Sequence, residues 1–265
     1  VTEKISSPQN LRIKRLIQLQ AKSRERRRQN LMVIEGYREI TRAIESGIKV
    51  REIYVCMELD TAMRAGQITE THNIPFFEVS LPVFGKLAYR EGSDGLIALA
   101  EPGNNSLENL RVGENPLIIV LESVEKPGNL GAVMRTADAA GVDAVIVCDP
   151  LTDLYNPNTI RSSVGCIFTT PVAVADTSRV MEWLSVNRVN SYAAALTSTA
   201  QEYYRNDYRG ATAFVMGTEA TGLSRKWLDY CSAQVIIPMM GIADSLNVSV
   251  STAVLVYEAL RQRKA

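Results

Sequence analysis

From residue 117 onward, short apolar runs alternate with stretches of helical periodicity, and few folds accept that rhythm. Strand-like runs fall at 117–122, 144–149, 171–175, 191–196, 213–217 and 234–237. Helical stretches fall near 130–140, 157–166, 178–187, 223–231 and 246–263. A strand that feeds a helix and then another strand is the repeating unit of a parallel sheet covered on both faces. The expectation is an α/β domain, a mostly parallel doubly wound sheet with helices on both faces. Ligands of such sheets sit in the crevice at the carboxyl ends of the strands.

The preceding residues read as a smaller α/β region. Residues 8–30 carry Leu11, Leu16, Ile17 and Leu19 among basic residues, which suits one helix with a packed face and a charged face. "LMVIEG" (31–36) is strand-like, "YREITRAIESG" is helical and stops at Gly47, and "VREIYVC" (50–56) and "GLIALAEP" (95–102) are again strand-like. "GNNSLENLRVGENP" (103–116) is polar and turn-rich and reads as a linker. Two domains follow, 1–105 and 115–265. A chain of 265 residues with 46% hydrophobic content can fill both cores.

Composition removes several function classes. No apolar run is long enough to span a bilayer, and the basic N-terminus is not followed by an apolar segment, so neither a membrane role nor a secretory signal is expected and the cytoplasm is the default. Cys56, Cys148, Cys166 and Cys231 are scattered without C-x-x-C pairs and read as buried thiols. His72 is the single histidine, in a polar turn before Ile74 and Pro75, which removes zinc motifs with two histidines and argues against a Ser/His/Asp triad. Net charge is zero but segregated. The first thirty residues hold Lys4, Arg12, Lys14, Arg15, Lys22, Arg24, Arg26, Arg27 and Arg28 against Glu3 and Glu25. Such a cluster reads as a nucleic-acid surface, with a solvated helix as the plainer alternative.

Three loops at strand ends carry chemistry. "ESVEKPGNLGAVMRTADAAG" (122–141) is a strand–turn–helix whose Gly128 and Gly131 do not make the G-x-G-x-x-G of a dinucleotide site. Asn129 stands where an N-cap or first-turn residue would sit and could satisfy helix amides, and Arg135 could be a solvated helix residue. "FVMGTEATGLS" (214–224) ends a strand in Gly217, where a ligand could approach the backbone, and puts the Glu219 carboxylate at the rim. The alternative is a turn capped by Thr221 or Ser224. "IIPMMGIADSLNVSVSTAVLVYEALRQ" (236–262) brings Ser245, Asn247 and Ser249 to the start of a long helix. A helix needs one N-cap, and the excess of small polar residues invites a ligand.

In order and spacing these three segments resemble the SpoU family of RNA ribose 2′-O-methyltransferases, within the SPOUT class, over roughly 115–265. Residues 1–102 resemble, more loosely, that family's ribosomal-protein-like RNA-binding extension. The resemblance implies a deep C-terminal trefoil knot, S-adenosylmethionine bound bent within it, and a homodimer formed through the C-terminal domain. It implies that Gly217, Ile237, Leu246 and Asn247 hold the cofactor and that Asn129, Arg135, Glu219, Ser245 and Asn247 shape the catalytic site, with no catalytic metal. Arg12, Lys14, Arg15, Lys22, Arg24, Arg26, Arg27 and Arg28 would then contact RNA, most simply large-subunit ribosomal RNA. Arg135 is the family's proposed catalytic residue. A guanidinium stays protonated and has no acceptor site, so its expected role is to grip phosphate and stabilise a developing alkoxide rather than to act as a base.

Three alternatives stand beside that expectation. One is methylation of transfer RNA; another is a catalytically inactive RNA-binding or ribosome-assembly protein of the same fold. The third is a nicotinamide-dependent oxidoreductase in which Asp149, at the end of the second strand, binds ribose hydroxyls.

Overall fold

The computed structural model describes residues 4–59, 68, 71–89 and 92–264. They divide into two compact units. One reaches to Gly103 and includes Asp153–Thr169; the other comprises Asn104–Thr152 and the residues from Thr170 on. The strands are β1 (Lys4–Ile5), β2 (Met32–Glu35), β3 (Val50–Val55), β4 (Phe76–Val79), β5 (Leu96–Ala100), β6 (Leu117–Glu122), β7 (Ala144–Cys148), β8 (Val172–Ala175), β9 (Asn190–Ala194), β10 (Gln201–Glu202), β11 (Thr212–Met216) and β12 (Ala233–Ile236). The helices are α1 (Leu11–Ala21), α2 (Ser23–Gln29), α3 (Tyr37–Glu45), α4 (Leu81–Leu87), α5 (Pro127–Ala140), α6 (Pro157–Ser162), α7 (Cys166–Thr169), α8 (Thr177–Val186), α9 (Arg225–Tyr230) and α10 (Val248–Lys264).

The first unit is a five-stranded mixed sheet in the order β1-β4-β3-β5-β2, with β5 antiparallel to both neighbours. Helix α1 begins at Asn10, whose side chain accepts the Arg12 N–H at 2.8 Å, satisfying one of the amides a helix start leaves open. Its buried face is Ile13, Leu16 and Leu19, three residues apart, in one apolar cluster with Val83, Phe84 and Leu87 of α4. The sequence reading put Leu11 and Ile17 on that face. Both lie on the outside, Leu11 being 82% exposed.

The helix expected over 8–30 is two helices, and Arg26 shows why. Lys22 is extended, and the Arg26 guanidinium turns back to donate to the carbonyl oxygens of Leu19 and Gln20, which α1 leaves without partners at its end. Its Nε donates to Asp153 at 2.6 Å, and the side chain is 4% exposed. Arg26 is therefore part of the packing, not of an RNA-facing surface, which corrects the sequence expectation. Arg12 is half committed: it pairs with Glu52 at 2.6 Å and lies over the Phe77 ring, 4.2 Å from its centroid. Lys14, Arg15, Lys22, Arg24, Arg27 and Arg28 are exposed.

Segment Asp153–Thr169, which the sequence reading gives to the second domain, packs with the first unit. Besides the Arg26 pair, Arg42 donates to the Val164 carbonyl at 2.6 Å and the Gly103 N–H donates to the Tyr155 hydroxyl at 3.2 Å. Gly165 sits at φ +81 with Glu39 and Arg42 pressed against it; a Cβ there would lie 3.2 Å from the Glu39 Cα. A helical pattern in sequence carries no label for the sheet it joins.

The second unit is a seven-stranded sheet, parallel throughout, in the order β10-β12-β9-β11-β6-β7-β8. The strands agree with the sequence reading to within about two residues, apart from the short β10, which it missed. Strands β6, β7 and β11 are buried along their whole length, as their unbroken apolar runs require. The chain proceeds outward from β6 through β7 to β8 and then fills the other side, so the order reverses between β6 and β11. Leu121 lies opposite Met216 there, bringing the two carboxyl ends level. That reversal is the crevice where open α/β sheets bind ligands.

The expected linker is not free chain. Val174 of edge strand β8 donates its N–H to the Asn105 carbonyl at 2.8 Å, and Asn105 Nδ2 donates to the Val172 carbonyl at 3.1 Å. Leu107 and Leu110 are buried in the core of the second unit. Two leucines spaced three apart in a polar stretch were the signal. Finally, the chain leaving β12 crosses back past β9, and α10 packs on α5, β11 and β6. The last loop thereby returns to the crevice.

Candidate active site

Strand β6 ends at Glu122, and the turn that follows delivers Pro127 as the first residue of α5. Asn129 is thus the third helical residue, in the first turn rather than at the cap. Its own N–H bonds to the Lys126 carbonyl at 3.1 Å, which frees the side chain. That side chain donates through Nδ2 to Glu219 Oε1 at 2.6 Å.

Glu219 rides on the loop after β11. Thr218 and Gly222 pair through both backbone hydrogen bonds, at 3.1 and 3.0 Å, and fold the loop back over Gly217. A Cβ on Gly217 would lie 2.2 Å from the Gly222 carbonyl carbon. The glycine expected to admit a ligand is needed because the chain's own backbone passes there.

Asn247 completes the group. Its Oδ1 accepts from the Ser249 N–H at 2.9 Å and the Ser249 hydroxyl at 2.7 Å, so it is the N-cap of α10. Its Nδ2 faces the other way, donating to Glu219 Oε1 at 2.7 Å and lying 3.3 Å from Asn129 Oδ1. The second Glu219 oxygen takes the Lys126 ammonium. Both carboxylate oxygens are therefore occupied, in a side chain 28% exposed. The hydrogen bond from Lys126, reinforced by that from Asn129, holds the Glu219 carboxyl below the ordinary carboxylate range although desolvation opposes it. The same bond raises the Lys126 ammonium. One carboxylate thus ties together the ends of β6, β11 and β12.

Two expected members stand apart. Ser245 is exposed, and among the described residues its hydroxyl reaches only Asp244, at 3.4 Å. Arg135 lies six residues beyond Asn129 on α5, about 9 Å along the axis. It is exposed, away from the buried Leu130, Val133, Met134 and Ala137. No hydrogen bond or ion pair joins it to the described residues, so its guanidinium fork is open.

Beside the cluster lies a cavity of about 400 Å³. Gly217, Ile237 and Leu246, the residues expected to hold the cofactor, line it, with Glu219 and Ser245 at its wall; Asn247 does not line it. Sequence reasoning missed Leu196 and Thr197, also on the wall, although the carboxyl end of a third strand, β9, was the place to look. It also missed Lys126.

Residues 116–257 match the SpoU rRNA Methylase family, more than half of the chain. The chain belongs to that family. Residues 10–98 match the MRM3-like substrate binding domain. The chain is 31% identical to the 23S rRNA (guanosine(2553)-2′-O)-methyltransferase RlmP of Bacillus subtilis (strain 168), over 96% of this chain and 98% of that protein. A crystal structure of an RNA 2′-O ribose methyltransferase superposes with a TM-score of 0.86 at 41% identity, covering 99% of this chain and 100% of the other. The SpoU methyltransferase AviRb from Streptomyces viridochromogenes, in complex with the cofactor AdoMet, superposes with a TM-score of 0.90 at 27% identity, covering 97% and 99%.

This SpoU family member is an S-adenosylmethionine-dependent RNA 2′-O-methyltransferase. Its cavity fits that cofactor. Apolar walls at Leu196, Leu223, Ile237 and Leu246 suit a purine, and Thr197, Glu219 and Ser245 offer polar groups. The backbone of 238–244 makes no hydrogen bond within the described residues and is free to meet a nucleoside. The oxidoreductase alternative meanwhile loses its acid. Asp149 Oδ2 accepts the Thr177 N–H at 3.2 Å and its hydroxyl at 2.7 Å, holding the first turn of α8.

Proposed function

We propose that this methyltransferase modifies a ribose of large-subunit ribosomal RNA, working in the cytoplasm as a homodimer. The observation that carries the reading is the Asn129–Glu219–Asn247 cluster at the sheet's switch point, beside a nucleoside-sized cavity at the carboxyl ends of β9, β11 and β12. Bound S-adenosylmethionine supplies a methyl group activated by its sulfonium. The three clustered residues fix the rim where the ribose is held. Arg135 grips a neighbouring phosphate with its fork and stabilises negative charge developing on the 2′-oxygen. Glu219, fully engaged and held below its ordinary range, is a weak base, so the hydroxyl proton passes to a phosphate oxygen or to water. The test is transfer of labelled methyl to bulk ribosomal and transfer RNA from cells lacking the protein, followed by mapping of 2′-O-methylation. Transfer to transfer RNA alone overturns the substrate, and no transfer to either supports an inactive RNA-binding protein.

The homodimer reading rests on apolar side chains left in water. Met240 and Ile242 are fully exposed, and Val250 and Tyr257, two turns apart on α10, are about half exposed. The trefoil knot belongs to the same reading, supported by the return of the last loop to the 217–222 segment, where Asn247 donates to Glu219 at 2.7 Å. Four free cysteines, three of them buried, suit a reducing compartment.

The RNA-binding reading of the first unit rests on Lys14, Arg15, Lys22, Arg24, Arg27 and Arg28. If about five of these meet phosphates of single-stranded RNA, affinity falls with salt at a log–log slope of about −3.5. Reversing Lys14, Lys22 and Arg24 to Glu in the full chain is expected to flatten that slope and leave cofactor affinity unchanged. Arg26→Ala is expected instead to lower the melting temperature, because it strands Asp153 and two carbonyls. Unchanged RNA affinity in the reversed variant would remove this surface from substrate binding.

A further inference from the structure

A second cavity, of about 290 Å³, opens between the end of β6 and the 217–220 loop, sharing Met216, Gly217, Thr218, Glu219, Ala220 and Val248 with the first. Glu122 and Lys126 line it, and neither has a part in the cofactor cavity. Glu122 is 8% exposed. Its Oε2 accepts the Ser224 N–H at 2.7 Å, while Oε1 has no hydrogen-bond partner among the described residues. An acceptor left open in a side chain that lines a cavity offers a place for a donor. Lys126 spends one of its three N–H groups on Glu219 and keeps two.

We propose that this second cavity takes the base of the nucleotide being methylated, and that Glu122 and Lys126 select a base with an imino N–H beside a carbonyl. Guanine and uracil have that edge; adenine and cytosine do not. The proposal rests on the RNA methyltransferase reading and adds the identity of the base. The imino N–H donates to the open Glu122 oxygen, and the adjacent carbonyl accepts from the Lys126 ammonium. Adenine and cytosine present a ring-nitrogen lone pair at the same point, which would meet the carboxylate acceptor to acceptor. The volume lies at the small end of ligand pockets, suited to one base drawn out of its stack. The cavity abuts the Asn129–Glu219 rim, so a base held there leaves its ribose near the first cavity.

The experiment uses the full-length protein and transcripts spanning the position mapped on bulk large-subunit ribosomal RNA, with G, U, A or C at that position. One well-placed base contact commonly discriminates by about 5- to 150-fold. Wild-type kcat/KM is expected to favour the G and U transcripts over A and C by at least about 10-fold. In Glu122→Gln the amide oxygen can keep the Ser224 bond and turn its NH₂ into the cavity. The preference is then expected to collapse or to swing toward A and C, with S-adenosylmethionine affinity by calorimetry within about twofold. A check that needs no variant is N3-methyluridine or N1-methylguanosine at the target, which removes the imino N–H and is expected to abolish turnover by the wild type. Equal rates on all four transcripts, an unchanged preference in Glu122→Gln, or turnover of the blocked bases overturns the inference alone. Loss of cofactor affinity in Glu122→Gln overturns it by giving the cavity to the amino-acid end of S-adenosylmethionine. A wild-type protein that methylates no RNA overturns both this inference and the reading beneath it.

Discussion

Arg135→Lys is expected to be nearly as damaging as Arg135→Ala, each lowering turnover by about 10²–10³-fold, the usual loss when a preorganised charged donor is removed. Arg135 is exposed on α5 and takes no part in the hydrogen bonds and ion pairs of the described residues, so its replacement disturbs no packing. Melting temperature and cofactor affinity should survive in both variants. The lysine keeps the charge and loses the planar fork that meets a phosphate with two parallel bonds. A lysine variant working at near wild-type rate would reduce Arg135 to a generic cation. Loss of cofactor binding in both would move it from catalysis to the cofactor site. A true base makes a different signature. Its rate profile would show an ionisation that vanishes in the alanine variant, whereas an electrostatic role lowers the rate and leaves the profile unchanged.

The second unit was legible because its strands are buried on both faces. Such strands appear as continuous apolar runs, LIIVLE and AVIVC among them, and the helices between them repeat at helical spacing. The site was legible for another reason. Asn129, Glu219 and Asn247 lie up to 118 residues apart in sequence, and no local pattern says that they meet; their motifs did, through family resemblance. What escaped was tertiary in kind. Arg26 looks like its basic neighbours until Leu19, Gln20 and Asp153 surround it. Residues 103–116 look like a linker because only Leu107 and Leu110 enter the core. Segment Asp153–Thr169 continues the second unit's rhythm and yet packs with the first, where a partner such as Glu39 is fixed only by folding. Glu122 reads in the sequence as no more than the end of a strand, since an open carboxylate oxygen is a property of the folded crevice.

Asn247 separates catalysis from stability, because its two ends do different work. Its oxygen caps α10, and its nitrogen holds Glu219 and Asn129. In Asn247→Ser a hydroxyl can still accept the Ser249 N–H, so the cap is kept and the donor to Glu219 is lost. Turnover is expected to fall by about 10²-fold, the scale at which a misplacement of about 1 Å acts on reacting groups, with the melting temperature nearly unchanged. Asn247→Ala should lose the same turnover and also about 1 kcal/mol of stability from the missing cap. A serine variant with wild-type turnover would leave Asn247 only its capping role. Acid should produce a related loss in the wild type. Glu219 has its folded pKa depressed, so the ties it makes are intact above the ordinary carboxylate value and fail as pH falls through the depressed one. Above that range Glu219 should contribute no ionisation to the rate profile. In Lys126→Met the hydrogen bond that does most to depress the Glu219 carboxyl is gone, and the acid limb of activity should move toward neutral pH. An acid limb that stays in place would mean that protonation elsewhere, and not loss of the Glu219 ties, stops the enzyme.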